Sequence, residues 1–292
     1  MFQGSIVALV TPMTDDGQVD YDSLRGLVEF HIENQTDALV AVGTTGESAT
    51  LNHKEHCEVI RKVIEFANKR VPVIAGTGSN STAEAIELSQ QAQADGADAC
   101  LLVTPYYNKP TQEGLYQHYK TIAEALDIPV ILYNVPGRTA CDMLPETVKR
   151  LSTIKNIVGV KEAWTDTQRI KDLACFASDD FVILSGDDAT ALDVVYAGGK
   201  GTISVTANVA PKMMHEMIAH GLAGRKAEAE ELNQKLMGLH KNLFVESNPI
   251  PVKYAVHKLG LMGEGIRLPL LPLSEEHRGT VDKAMQQADI NV

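Results

Sequence analysis

The sequence is poor in cysteine and in positive charge. Its four cysteines, Cys57, Cys100, Cys141 and Cys175, lie far apart and form no Cys-x-x-Cys pair. A disulfide framework or a structural zinc site is therefore not expected. Lysine and arginine number 26 against 38 acidic residues, which gives a net charge of −12. Because phosphate backbones are bound by basic surfaces, we expect no nucleic-acid partner.

Long hydrophobic runs are also missing. No stretch reaches the ~20 apolar residues that a membrane-spanning helix needs, so we expect no membrane association. The opening residues, MFQGSIVALVTP, contain no basic segment, and the first lysine or arginine is Arg25. This start predicts a first β-strand rather than a signal peptide. With cysteines that we expect to be reduced, these absences predict a cytoplasmic protein.

Eight short runs rich in β-branched residues are present in the first 210 residues. They begin at Ser5, Ala38, Val71, Ala99, Pro129, Asn156, Phe181 and Gly201. Most are continuously apolar, which is typical of parallel strands covered on both faces. Helical patterns alternate with them. Eight βα units at similar spacing predict a (β/α)8 TIM barrel over residues 1–222, and a doubly wound open sheet is the alternative. Residues 223–292 read as helices and predict a C-terminal helical appendage.

Local signals predict where two of the helices begin. Asp20 or Asp22 is suited to cap the amino end of the first helix. Ser81 and Glu84 have the spacing of a capping box, in which each side chain bonds the backbone of the other. Gly96 follows the same helical pattern and predicts its end.

Lys161 stands at the end of a predicted strand, in the stretch NIVGVKEAWTD. In a TIM barrel the active site lies at the carboxyl ends of the strands. An amine attacks a carbonyl group only when unprotonated, and apolar surroundings disfavour its charged form. The sequence therefore predicts that Lys161 is a nucleophile. The alternatives are a lysine that extends to the rim or one that pairs with Glu162.

Other strand ends carry groups that suit a small acid substrate. Tyr133 ends the strand before Lys161 and could relay protons, although a packing role is also open. Thr44 and Thr45 lie between two glycines, where hydroxyls and backbone N–H groups could hold a carboxylate or simply form a tight turn. Arg138 could bind a substrate carboxylate or lie on the surface.

Three further motifs do not support a cofactor or a metal. The segment GTGSNS at Gly76 lacks the third glycine of a dinucleotide fingerprint. The segment AGGKGT at Ala197 lacks P-loop spacing, although barrels can build phosphate-binding loops in this region. His53 and His56 lie one helical turn apart with no third ligand in view. We therefore expect no cofactor and no metal ion.

The loops GTTGE from Gly43, YNVPGRT from Tyr133 and VKEA from Val160 are similar to those of the pyruvate-dependent class I aldolases, the N-acetylneuraminate lyase family. The resemblance covers essentially the whole chain. It is strongest for the branch that condenses pyruvate with aspartate-4-semialdehyde in diaminopimelate and lysine biosynthesis, because Arg138 and the TPYYNKP loop match. Trp164 departs from the smaller residue of many relatives, which puts the shape of that loop in doubt.

The resemblance implies a role for each matched residue. Lys161 would form a Schiff base with pyruvate, and Arg138 would bind the carboxylate of the semialdehyde. Tyr133 and Thr44 would form a proton relay completed by Tyr107 from a neighbouring subunit of a homotetramer, a dimer of dimers. The implied catalytic residues are thus Lys161, Tyr133, Thr44 and Tyr107. The implied substrate-binding residues are Thr45, Arg138, Gly186 and Ile203.

The resemblance also implies feedback inhibition by lysine at a dimer interface. The matching residues are Ser48, Ala49, His53, His56, Asn80, Glu84 and Tyr106. Two other functions remain open. One is a sister aldolase, such as N-acetylneuraminate lyase or a sugar-acid aldolase. The other is a barrel without a reactive amine that binds a small acid or a partner.

Overall fold

Eight parallel strands close into a barrel in this computed structural model, which describes residues 2–164 and 166–290. Each strand pairs with the next, and the eighth pairs with the first. The strands are β1 Gly4–Ala8, β2 Ala38–Ala41, β3 Val73–Gly76, β4 Ala99–Val103, β5 Val130–Asn134, β6 Ile157–Glu162, β7 Val182–Ser185 and β8 Gly201–Ser204. The predicted TIM barrel is confirmed, and the open sheet is wrong because the last strand returns to the first.

Helices follow the strands and form the outer layer. The helices up to residue 222 are α1 Tyr21–Glu33, α2 His53–Ala67, α3 Thr82–Asp95, α4 Gln112–Glu124, α5 Pro136–Thr139, α6 Pro145–Leu151, α7 Thr167–Ala174, α8 Ala191–Tyr196 and α9 Pro211–Leu222. The later helices are α10 Lys226–Asn242, α11 Ile250–Lys258 and α12 Glu275–Gln287. Within the described residues, no helix combines the length and apolar character needed to cross a membrane.

Helix caps explain two of the predicted boundaries. Asp20, rather than Asp22, caps α1 by accepting from the N–H groups of Asp22 and Ser23. Only half of the predicted capping box forms at α3. The Ser81 hydroxyl accepts from Glu84 N, but the Glu84 carboxylate is bound by the hydroxyl of Ser79 instead. Ser79 also accepts the Ser81 N–H, so it takes the place that the box would give to Glu84.

The core has two layers because strand residues alternate between the two faces of the sheet. Inward-facing residues such as Ile6, Val40 and Ile131 fill the barrel interior. Outward-facing residues such as Leu39 and Leu132 pack against the helices. A side chain at a strand end therefore enters either the barrel mouth or the layer beneath the helices.

Strand β6 breaks this alternation with a β-bulge. Val130 pairs with Ile157, but the next residue of β5, Ile131, pairs with Gly159, so Val158 is skipped. Ile157 belongs to the outer layer, and Lys161 comes four residues later. Strict alternation would place Lys161 outside as well. Because of the extra residue, the side chains after the bulge point to the opposite face from the one that strict alternation would give, and Lys161 enters the barrel.

The C-terminal helices pack against α9 and against one another. Helix α9 contacts β1 and α8, which makes it the last helix of the barrel layer. Helix α10 packs against α9 and α12. The division of the chain at residue 222 stays a prediction.

Candidate active site

A cavity of about 170 Å³ opens at the carboxyl ends of the strands. Six of the eight predicted catalytic and substrate-binding residues line it: Thr44, Thr45, Tyr133, Arg138, Lys161 and Gly186. Its volume is below the roughly 300 to 1,000 Å³ of a typical drug-sized site, which suits a small substrate.

Lys161 is buried in this cavity and lies beside Tyr133. Only 6% of the lysine is exposed, and its Nζ lies 4.3 Å from the centroid of the Tyr133 ring. The two residues are direct partners in the β5–β6 register. Pairing with Glu162 is excluded because that carboxylate lies on the other face of β6, bound to Arg169. The geometry thus places an amine and a phenol side by side, shielded from solvent.

The loop after β2 presents Thr44 and Thr45 to the cavity. Two of its residues, Val42 and Glu47, adopt positive φ angles of 56° and 59°, which non-glycine residues seldom do. A side chain at Gly76 would clash with the loop, because its Cβ would lie 2.3 Å from the carbonyl oxygen of Val42. The loop is therefore fixed against β3 by close backbone packing.

A buried ion pair anchors the same loop to the C-terminal region. The Glu47 carboxylate is bound by the Lys253 ammonium of α11, and both side chains are almost fully buried. Burial lowers the pKa of Lys253, and the charge of Glu47 opposes that change. Glu47 also accepts from the backbone N–H of Arg267 at 3.3 Å. Removing either partner would leave a buried charge, so the pair holds loop and helix together.

The C-terminal region also contributes directly to the cavity, which sequence reasoning did not predict. Phe244 and Asn248 line it. The side-chain amide of Asn248 donates to the hydroxyl of Thr45 at 3.0 Å. Arg138, on α5, donates from Nη2 to the carbonyl oxygen of Asn248 at 3.3 Å. Asn248 thus lies between two predicted substrate-binding residues that come from different loops.

Two predicted residues lie outside the cavity. Ile203 is buried on β8 among the inward-facing residues of the barrel. Tyr107 is 91% exposed, with a positive φ of 74°. An aromatic side chain so exposed cannot serve the cavity of its own chain from this position.

Ser48 connects the predicted regulatory residues with the candidate active site. It lines a small cavity of about 30 Å³ together with Thr44 and Tyr133. Groups around Ser48 therefore lie next to two predicted members of the proton relay.

Three other predicted regulatory residues are close together on the surface. The Asn80 side-chain amide donates to the carbonyl oxygen of Tyr106 at 3.3 Å. Burial, and then the negative charge of Glu84, raises the pKa of Tyr106. The Glu84 carboxylate accepts from the hydroxyl of Ser79. These residues form a polar surface with one acidic group.

The two histidines of the predicted regulatory set differ in accessibility. His56 is buried, and its Nε2 lies 2.7 Å from the carbonyl oxygen of Gly76. Burial lowers the pKa of His56. His53 and Ala49 are exposed. His53 is thus the better placed of the two histidines to meet a ligand at the surface.

A polar cluster lies behind the active site and was not predicted from the sequence. We call it the outer cluster, and it consists of Asn134, Asp142, Glu162 and Arg169. Glu162 is 1% exposed, and burial raises its pKa to about 7, against the opposing effect of the Arg169 guanidinium. The sequence contained one signal for this cluster. Glu162 directly follows a lysine that is predicted to face inward, and strand alternation places the residue after such a lysine in the outer layer.

The groups that converge on the cavity define its chemistry. They are a buried amine, a phenol, two hydroxyls and a guanidinium. Such groups suit covalent catalysis on a carbonyl acid through a lysine Schiff base. Among residues 2–164 and 166–290, no group of three histidine, cysteine or acidic residues has the geometry to hold a metal ion.

Comparisons with known proteins agree on one family. The model of the dihydrodipicolinate synthetase family matches residues 1–288. The 4-hydroxy-tetrahydrodipicolinate synthase of Methylococcus capsulatus is 61% identical over 290 residues, covering 99% of this chain and 100% of the relative. A dihydrodipicolinate synthase structure from Acinetobacter baumannii, complexed with pyruvate, has a TM-score of 0.98 and 56% identity, with full coverage of both chains. The Cyanidioschyzon merolae enzyme with lysine bound has a TM-score of 0.96 and 40% identity, covering 99% of each chain.

Proposed function

The chain belongs to the dihydrodipicolinate synthetase family and has the activity of a 4-hydroxy-tetrahydrodipicolinate synthase, a lyase; from this premise, we propose that Lys161 forms a Schiff base with pyruvate. The observation that carries the proposal is the burial of the Lys161 amine beside the Tyr133 phenol in a small cavity. The sister aldolases are not favoured, because the curated relatives at about 60% identity are synthases.

The reaction follows from the chemistry of a lysine imine. Nζ of Lys161 attacks the keto carbon of pyruvate, and loss of water gives the imine. Removal of a methyl proton converts the imine into an enamine, whose carbon attacks the aldehyde of aspartate-4-semialdehyde. The semialdehyde amine then attacks the imine carbon, closes the ring and releases Lys161. These steps require proton transfers at the lysine nitrogen, at the methyl carbon of pyruvate, at the substrate oxygens and at the semialdehyde amine.

We assign these proton transfers to Tyr133 and Thr44, with Tyr107 of a neighbouring subunit completing the relay. The Tyr133 ring lies against the Lys161 amine, with 4.3 Å between Nζ and the ring centroid. Thr44 lines the same cavity. Tyr107 does not line its own cavity and is 91% exposed, which supports an assembly in which it enters the cavity of a neighbour.

Substrate binding is divided between the two sides of the cavity. Thr45 and the backbone at Gly186 hold pyruvate from the cavity lining, and the backbone at Ile203 holds it from the inward-facing layer of β8. Arg138 binds the carboxylate of the semialdehyde, because a guanidinium at the open rim can form a bidentate pair with a planar anion. Asn248 supports both sides through its bonds to Thr45 and Arg138.

Borohydride trapping tests the central assignment. Incubation with pyruvate and borohydride should add one reduced pyruvate to each chain, located on Lys161 by peptide mass analysis. The Lys161→Arg variant, which keeps the charge but is not a useful nucleophile, should stay unmodified. An unchanged intact mass of the native protein would contradict the assignment.

We further propose that lysine inhibits this enzyme at the site formed by the predicted regulatory residues. Glu84 offers a negative charge to the α-ammonium group of the ligand, and Ser48 connects the site with Thr44 and Tyr133. A relative at 40% identity is known with lysine bound. Saturating lysine should lower initial rates of the native protein and have a weaker effect on Glu84→Gln. Initial rates that do not change with lysine would rule the proposal out.

We propose a homotetramer, a dimer of dimers, as the active assembly. Tyr107→Ala should then lower kcat without removing Lys161 or Tyr133 from their places. Sedimentation velocity gives the mass of the native assembly, and a sedimentation coefficient of a monomer at assay concentrations, together with full activity, would contradict the proposal.

A further inference from the structure

We propose that Glu162 and Asn134 are positioning residues that hold the Lys161 amine against the Tyr133 phenol. This inference rests on the proposed function, because it concerns the rate at which Lys161 condenses with pyruvate. Neither residue reaches the cavity, and both act through the strands that carry the reacting groups.

The two pairs occupy consecutive positions in the same two strands. Tyr133 pairs with Lys161 in the β5–β6 register, and the next partners are Asn134 and Glu162. The first pair faces the cavity and the second faces the helices. The side-chain amide of Asn134 lies 3.1 Å from each carboxylate oxygen of Glu162. The outward pair thus joins β5 and β6 one residue beyond the inward pair.

The rest of the outer cluster fixes this joint from the helix side. Arg169, at the start of α7, donates from Nε to Glu162 at 3.1 Å and from Nη2 to Asp142. The Asn134 amide also donates to Asp142, at 2.8 Å. Asp142 belongs to the segment that follows Arg138 and α5. One hydrogen-bonded cluster therefore connects β5, β6, α7 and the segment after the substrate-binding arginine.

Glu162 is surrounded by donors. It accepts from the side chains of Asn134 and Arg169 and, at 2.8 Å, from the backbone N–H of Trp164. A carboxylate can accept all of these bonds, whereas an amide of the same shape would turn N–H groups toward other donors. Burial makes each mismatch costly. The charged groups that face Glu162 are Arg169 and Asp142, since Lys161 lies on the opposite face of its strand.

The test measures how fast Lys161 is trapped, separately from how much is trapped. Native protein and Glu162→Gln are mixed with a range of pyruvate concentrations, quenched with borohydride at set times, and analysed by intact mass. We expect the maximal rate constant for adduct formation to fall about tenfold in the variant, as for a displaced reacting group. The half-saturating pyruvate concentration should change less than threefold, and the final stoichiometry should still reach one adduct per chain.

Glu29→Gln is the matched control. Glu29 also accepts from an arginine, Arg70, in two bonds of 2.7 and 2.5 Å, but on the surface away from the site. In the Glu29→Gln variant, Lys161 should form the pyruvate adduct at the native rate. A rate within twofold of native in Glu162→Gln would overturn the inference, as would a native rate with reduced stoichiometry, which signals partial unfolding. Absence of any adduct in native protein would instead overturn the proposed function.

A second variant covers the case in which Glu162→Gln does not fold. Arg169→Lys keeps the positive charge near Glu162 but replaces the planar fork, which reaches Glu162 from Nε and Asp142 from Nη2, with donors on a single nitrogen. We expect a smaller decrease in the trapping rate, about threefold, again with full stoichiometry. A native trapping rate in this variant would overturn the role assigned to the cluster.

Discussion

The two ends of the barrel carry cavities of opposite character. The cavity at the amino ends of the strands measures about 560 Å³ and is lined by residues such as Phe2, Asp37 and Asp98. The cavity at the carboxyl ends is about 170 Å³, less than a third of that volume. The smaller one holds the amine, the phenol and the guanidinium. Cavity volume therefore does not identify the candidate active site of this protein, whereas the convergence of reactive side chains does.

Two aspartates at the amino end of the barrel accept hydrogen bonds from backbone N–H groups. Asp37 accepts from the N–H of Ser5 at 2.7 Å, and Asp98 accepts from the N–H of Val73 at 2.8 Å. Asp37 directly precedes β2 and binds the start of β1, and Asp98 directly precedes β4 and binds the start of β3. Strand starts leave backbone donors without a partner in the sheet, and these carboxylates satisfy them. The comparison predicts that changes at the carboxyl end affect catalysis and changes at the amino end affect stability.

The largest effect is expected from Gly159→Ala, which acts on the bulge. The new Cβ would lie 2.6 Å from the carbonyl oxygen of Val182, so β6 must shift. Because small misplacements of a reacting group are costly, we expect kcat to fall about 100-fold. Gly26→Ala is the control, since a Cβ there meets no atom within 4 Å. Native kcat in Gly159→Ala would mean that the bulge does not place Lys161.

Arg138→Leu should have the next largest effect. Loss of a charged hydrogen-bond partner for the semialdehyde carboxylate should lower kcat/KM for that substrate about 50-fold. Trapping of pyruvate on Lys161 should stay close to native, because the arginine lies at the rim. A coupled assay and borohydride trapping measure the two steps. Equal losses in both would contradict the assigned role.

At the amino end, His31 should control stability in acid. Burial lowers its pKa to about 3, and its Nδ1 lies 2.9 Å from the Thr36 hydroxyl. Below pH 6.5 the unfolded chain binds a proton that native His31 does not, so stability falls as pH decreases toward 3. Denaturant unfolding at pH 7 and pH 5 measures this loss, which should be about 2 kcal/mol smaller in His31→Gln. An unchanged loss would show that other groups cause it.

Asp98→Ala should have the smallest effect. It removes one hydrogen bond to a backbone N–H at the barrel's amino end, so the free energy of unfolding should fall by about 1 kcal/mol. Kinetic constants should stay within twofold of native. A large loss of kcat with little loss of stability would break the distinction between the two ends.

The barrel itself could be predicted because its strands are buried on both faces and so read as continuous apolar runs. The continuous apolar character also means that the bulge in β6 cannot be seen in the sequence. A run such as IVGV shows no alternation, so nothing in it indicates that Val158 is skipped in the register. Lys161 was predicted to enter the barrel from its position at a strand end, although simple alternation from Ile157 would have placed it outside.

Residues that depend on distant contacts could not be predicted. Asn248 contacts Thr45 across about 200 positions of the chain, and no local pattern marks such a contact. The pairing of Glu47 with Lys253 is equally distant. The half-formed capping box at Ser81 failed for a nearer reason, because Ser79 competes for the same partners. Spacing indicates which bonds are possible, and the fold decides between them.

The buried pair of Glu47 and Lys253 has a consequence for how the protein is made. A ribosome releases the chain from its amino end, so all eight strands emerge before Lys253 does. Until Lys253 emerges, the Glu47 carboxylate has no cation to pair with, and burying it alone would be costly. We therefore expect the carboxylate to stay in water and the loop that carries Thr44 and Thr45 to remain unfolded. The nascent barrel is therefore expected to remain catalytically silent until its final quarter has been translated.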